Sequence, residues 1–429
     1  MGEEKKGEKA ISRRKYLGAV GGLAAAAAVG WGLAGYLASK PKAPAVEKTV
    51  TETKTITAMP TPAVTPTPVR KLKIGFSPYY VDDDWYRVDV KGAEFYAEDH
   101  GNELLILNPH GDPETQIKNV KYMVESGIDA LIISPTDPKA LTETIDWVAK
   151  DKKIPVICTN TDAETASIAI TVMSGTVEIG EMIAEAMVNA VKKDGVELEG
   201  DVFVASGPYG ETQARMLWEG YNNVLGKYSG LKLQRFECPT WGADEAQKAI
   251  VDAIKGIGKP LMILGTNMTT TLGCVEGVKR AGFAIPRGKS GHIYVGGFDC
   301  SKAGAEYIKE GLLDAVSDVP NPHWEGLGQY FARLVVEKGI DALPPIGVTV
   351  IDDITKPDGP QPDGTWNIAL ERGCKEHMGA NPWTNPVWAP AKVVEAFGHR
   401  WLRTGGIIVT PENVDTYEGW YVLVDKWLV

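Results

Sequence analysis

Leu261-Met262-Ile263-Leu264-Gly265-Thr266-Asn267 is an apolar run that stops abruptly on two small polar residues. Val156-Ile157-Cys158-Thr159-Asn160 repeats the arrangement, as do Val295-Gly296-Gly297-Phe298-Asp299 and Ala315-Val316-Ser317-Asp318. Short continuous apolar runs read as strands buried on both faces, as in a parallel sheet covered by helices. In such open sheets a ligand sits in the crevice beyond the carboxyl ends of the strands. Four runs that each deliver an Asn or Asp to that edge predict a pocket walled by hydrogen-bonding groups. That suits a small polyhydroxylated molecule.

The rest of the body alternates in the same way. Leu72 to Phe76 reads as a strand, and Tyr86, Val90, Ala93 and Ala97 then fall on one helix face. Strands at 104–107 and 130–133 alternate with helices marked by Ile117, Val120 and Val124 and by Leu141, Ile145 and Val148. The pattern restarts with a helix at 177–193 and strands at 202–205, 231–236, 261–264 and 293–298. Two similar doubly wound α/β lobes side by side leave a cleft between their carboxyl edges.

Composition narrows the function. The chain has 429 residues and a formal net charge of −11, which argues against a nucleic-acid partner. Its five cysteines contain no Cys-x-x-Cys pair, so a zinc knuckle is not expected. They read first as small buried hydrophobes, with one or two disulfides left open. Cys374-x-x-His377 is weak as a metal site, and neither a metal nor a cofactor is expected. The six histidines are scattered, and no Gly-x-Ser-x-Gly elbow, His-Glu-x-x-His pair or Walker loop is present, so an enzyme is not expected.

The first 70 residues read as an address and a tether. Lys5, Lys6, Lys9, Arg13, Arg14 and Lys15 precede an uncharged run from Tyr16 to Ala38. As a helix that run spans about 34 Å, enough to cross a bilayer with the basic end inside. Ser12-Arg13-Arg14-Lys15-Tyr16-Leu17 resembles a twin-arginine export signal. Residues 1–40 are therefore a signal or membrane anchor, and the Thr/Pro-rich stretch 41–70 is an extended linker. The expected location is extracytoplasmic, at the cell surface or in the periplasm, tethered to the membrane.

The ordered local motifs resemble those of type I periplasmic binding proteins, most of all the ribose and simple-sugar receptors of ABC importers. Asp83-Asp84-Trp85-Tyr86 ahead of Gly92-Ala93 is similar to that family's polar-aromatic lip, and Ile133-Ser134-Pro135-Thr136-Asp137 to one of its turns. Asn160 falls where the family has a ligand-binding Asp. Gly207-Pro208-Tyr209-Gly210 with Arg215 and Glu219-Gly220-Tyr221 resembles its Gly-rich turn and following helix. Asn267 and Gly297-Phe298-Asp299 match in order, and Asp318 stands where Gln is usual. Thr161 replaces an Arg, and a second family Arg falls nearest Leu217, so ribose itself is not implied.

The resemblance implies ligand contacts from Asp84, Trp85, Tyr86, Asn160, Thr161, Arg215, Trp241, Asn267, Asp299 and Asp318. Asp and Asn suit sugar hydroxyls, which donate and accept together, and aromatic faces suit the C–H face of the ring. It also implies lobe 1 from 71–174 plus 319–346 and lobe 2 from 175–318 plus about 347–355. Hinge crossings fall near 174–175, 318–320 and 345–350. The expected function is capture of a sugar or polyol by a monomer and its delivery to an ABC permease. A ligand-presenting sensor subunit and a nucleoside receptor are the alternatives. Residues 356–429, with Trp366, Trp383, Trp388, Trp401, Trp420 and Trp427, read as a packed C-terminal appendage.

Overall fold

A computed structural model describes residues 70–417 and 419–429. The apolar N-terminal run and the linker up to residue 69 lie outside the described residues. Among those described, no helix is long and apolar enough to cross a membrane.

In chain order the first half contributes β1 (Lys73–Ser77), β2 (Glu103–Ile106), β3 (Ala130–Ile133), β4 (Val156–Thr159) and β5 (Ile170–Ser174). The second half contributes β6 (Gly200–Ser206), β7 (Leu231–Glu237), β8 (Met262–Gly265), β9 (Tyr294–Gly297) and β10 (Ala315–Asp318). Six short strands follow: β11 (Thr349–Ile351), β12 (Gly359–Pro360), β13 (Trp366–Asn367), β14 (Ala391–Ala396), β15 (His399–Thr404) and β16 (Ile407–Val409). They assemble into a ten-stranded sheet, β12-β13-β11-β14-β15-β5-β4-β3-β1-β2, and a six-stranded sheet, β16-β10-β9-β8-β6-β7. The central strands β3, β4, β8 and β9 are buried along their whole length, as their unbroken apolar runs require.

The helices that matter for the site are α1 (Asp84–His100), α2 (Pro113–Glu125), α3 (Thr142–Asp146), α4 (Thr176–Lys193), α5 (Thr212–Leu225), α6 (Ala243–Gly256), α7 (Met268–Arg280), α8 (Lys302–Lys309), α9 (Asn321–Lys338) and α10 (Trp420–Trp427). The buried face of α1 is Trp85, Val88, Asp89, Gly92, Ala93, Tyr96 and Ala97. It is rotated from the face read in the sequence, because Tyr86 and Val90 sit at its margin. At Gly92 the backbone of α1 comes against α9: a Cβ there would meet Pro322 at 2.8 Å.

Three expectations about the C-terminal third are corrected. β11, placed by the resemblance in lobe 2, pairs with β13 and β14 in the ten-stranded sheet. The third passage between the sheets is at Gly405-Gly406, between β15 and β16, and not at 345–350. β15 runs parallel to β5 (Arg400 opposite Ile170), and β16 then pairs antiparallel with β10. Glycine is needed there because a Cβ at Gly406 would lie 2.9 Å from the Asp318 carbonyl. Residues 356–429 are thus part of the lobes and no appendage: they lengthen both sheets, β15 satisfying the edge of β5 and β16 that of β10. Their tryptophans carry much of this packing, with Trp383 and Trp388 fully buried. All five cysteines are free thiols, four of them buried.

Candidate functional site

Lobe 1 meets the cleft through the start of α1. Asp83 is the N-cap: Oδ1 accepts the Tyr86 amide at 2.9 Å, and Oδ2 accepts the Tyr80 hydroxyl at 2.8 Å. A carboxylate there satisfies an orphan amide and meets the positive end of the helix dipole. The rings of Tyr80 and Tyr86 lie 4.4 Å apart and those of Trp85 and Tyr86 4.6 Å apart, making an aromatic lip. Asp84, expected in the pocket, turns to Arg87 at 3.0 Å on the exposed side of the helix. Trp85, expected to stack on a ligand, is buried toward Trp324 with ring centroids 6.0 Å apart. Tyr86 is the half-buried ring.

The strand ends behave in a common way. Asn160 after β4 and Asp299 after β9 both adopt left-handed backbone, at φ 63° and 64°. Asn and Asp are the side-chain-bearing residues that tolerate this conformation best. Asn160 donates its Nδ2 to the Tyr86 hydroxyl at 2.8 Å. Thr161 donates its hydroxyl to the Pro135 carbonyl at 3.1 Å and so ties two loops together. Asp299 receives no such partner: its Oδ1 is buried and makes no hydrogen bond. Burial pushes its carboxyl well up, and the charges of Asp318 and of Asp83 across the cleft push it further.

The remaining expected contacts divide. Asn267 caps α7, its Oδ1 accepting the Thr270 amide at 2.8 Å while its Nδ2 donates to Thr269 at 2.9 Å. Thr269 in turn donates to the Trp241 carbonyl. Trp241 has left-handed backbone at φ 59°, unusual for a bulky residue, and its ring lies over Gly207, where a Cβ would come within 2.3 Å of it. Arg215 is exposed, with only Thr212 at 3.5 Å, and does not reach the cleft. Asp318 is buried, and its Oδ2 accepts the Tyr417 hydroxyl at 2.8 Å. Burial raises the Asp318 carboxyl to about 7, against the pull of Tyr417 and the Val319 and Trp420 amides.

Four further residues belong to this region and were not anticipated. Asn321, at the start of α9, donates to the Trp85 carbonyl at 2.9 Å and leaves its Oδ1 buried and unpaired. One turn below, Asp89 of α1 and Glu325 of α9 are fully buried, and none of their four carboxyl oxygens has a hydrogen-bond partner. Burial and mutual repulsion raise Asp89 well above the usual range, and burial lifts Glu325 to about 8. Tyr417 arrives from the C-terminal segment. The signal for Asp89 was its place four residues after Trp85, an acid on an otherwise apolar helical face. A small hollow of about 80 Å³ between the Asp318–His323 crossing and the C-terminal segment shares Asp318 and Asn321 with the site. Trp85, Tyr86, Asn160 and Asp299 do not line it.

Residues 74–339 match the periplasmic binding protein domain family, and the chain belongs to that family. A xylitol-binding protein of Mycolicibacterium smegmatis is 26% identical over 193 residues, covering 45% of this chain and 54% of the relative. The chain therefore spans about half the length of that relative. Ribose import binding protein RbsB of Bacillus subtilis is 25% identical over 250 residues, 57% of this chain and 75% of its own. Among solved structures, an ABC transporter solute-binding protein from Actinobacillus succinogenes with bound D-allose superposes with a TM-score of 0.60 at 16% identity, covering 81% of this chain and 100% of that one. One from Agrobacterium vitis with bound alpha-D-tagatopyranose gives 0.58 at 20% identity, covering 81% and 97%. At such identities the likeness establishes the fold.

Proposed function

We propose that the protein is the extracytoplasmic solute-binding component of an ABC importer. It holds a sugar or sugar-like polyol between its two lobes and delivers it to a membrane permease, performing no chemistry itself. The observation that carries this reading is the buried Asp299 oxygen that no protein group satisfies. Two sheets each end a strand in the same left-handed turn, and Asp83 beside one wall acts on Asp299 in the other. Ligand-named relatives in the same family support a sugar or polyol guest.

The three passages at 174–176, 318–321 and 404–407 serve as hinges, so that a guest shifts an open–closed equilibrium toward closure. The basic apolar N-terminus and its Thr/Pro stretch tether a monomer near the permease. Calorimetric titration of the full chain in mild detergent, against pentoses, hexoses and inositols, tests the reading. Binding by one of these, lost at least tenfold in Asp299→Ala, is expected from an orphaned buried partner. Full affinity in that variant would show that the guest lies elsewhere.

A further inference from the structure

The polar atoms left unpaired around the cleft are nearly all of one kind. Asp89 and Glu325 contribute both carboxyl oxygens each, and Asp299 and Asn321 contribute one oxygen each. Against these stand two unpaired donors, the indole N–H of Trp85 and, in the hollow beside Asn321, that of Trp420. A sugar hydroxyl donates one hydrogen and also presents lone pairs, whereas an ammonium donates three and accepts none. A site so rich in free acceptors is matched poorly by hydroxyls alone.

Charge points the same way. Asp89, Asp318 and Glu325 are at most 1% exposed, and the groups acting on them and on Asp299 are other acids, hydroxyls and backbone amides, with no cation. Protein groups already satisfy Asp318, whose Oδ2 is bound by Tyr417. Asp299 has no such relief. Burying an ionised carboxylate without a counter-charge is strongly unfavourable, and a missing ion or ligand is one standard reason for a buried orphan.

On the reading that this cleft holds a polyol, we infer that the guest carries a positively charged nitrogen: an amino sugar or iminosugar. Its ammonium lies at Asp299, whose buried Oδ1 has no partner in the protein. Asp299 is then the residue that sets specificity for charge, and Asn160 with Tyr86 addresses hydroxyls.

Titration of the full chain in detergent with matched pairs tests this: D-glucosamine and D-glucose, D-galactosamine and D-galactose, D-mannosamine and D-mannose, with 1-deoxynojirimycin as the iminosugar. At least one amine is expected to bind about tenfold or more tightly than its neutral partner, as a charge-assisted bond would give. Asp299→Asn, which keeps shape and removes charge, is expected to bring that ratio below about threefold while retaining neutral-sugar binding; circular dichroism confirms that the variant is folded. If every neutral sugar matches its amine, or if the ratio survives in Asp299→Asn, the inference is overturned and the polyol reading stands. If neutral sugars and amines alike fail to bind, both fall.

Discussion

The two walls of the cleft start from the same local device and end in different states. On the lobe 1 wall, Asn160 is held by Tyr86, and Tyr86 by the Asp83-capped start of α1. On the lobe 2 wall, Asn267 and Trp241 are absorbed into the cap of α7 through Thr269, and Asp299 alone keeps a buried oxygen without a partner. A polar residue at a strand end is therefore not yet a binding residue. It becomes one when its neighbours leave it unsatisfied, because only an orphaned group gains from a guest.

The contrast can be tested from its strongest element to its weakest. Glu325 lies under the first wall, and its folded-state carboxyl is raised from an ordinary 4.5 to about 8. An acid with a raised folded value favours the folded chain while protonated; that contribution is whole below about pH 4.5 and is lost as the pH rises through about 8. Unliganded stability should therefore decline across that window. Glu325→Gln should make the decline shallower and be the more stable form at pH 8 by ~4 kcal/mol, measured by urea unfolding at several pH values. An unchanged slope would mean that the buried pair does not titrate there.

Asp299→Ala should lower affinity for the best ligand by roughly 10- to 100-fold, while in stability the strain of Ala in left-handed backbone and the relief of a buried unpaired oxygen oppose each other. Asn267→Ala should act mainly on stability. Losing the cap costs about 1 kcal/mol of stability, read from the same urea curves, with affinity changing less than about threefold. If Asn267→Ala instead cost affinity and no stability, the division between cap and contact would be wrong. Arg215→Ala should change stability by no more than about 0.5 kcal/mol and leave affinity alone, since the side chain is exposed and meets only Thr212.

Much of the candidate site was legible because its polar strand ends depend on neighbours along the chain. Asn160, Asp299 and Asp318 were found from apolar runs ending in short polar residues, and Tyr86 from the lip that precedes α1. Where the reading slipped, a one-residue rotation or a distant partner was responsible. Asp84 and Asp83 are adjacent, and only the tertiary structure shows that Asp83 caps the helix and holds Tyr80 while Asp84 pairs with Arg87. Asp89 and Glu325 sit on helices more than two hundred residues apart in the chain, so their pairing left no local trace.

The amino-acid sequence by itself determined two parallel-sheet lobes, the strand ends that face the cleft and the family to which they belong. Hydrophobic period and strand length are properties of contiguous residues. Tertiary structure alone decided which polar tips stay free. Tyr417 reaches Asp318 from 99 residues away, Gly405-Gly406 threads the third crossing, and β11 joins the first sheet. Each of these depends on which partner arrives to satisfy a buried group, and that is settled only when distant segments pack together.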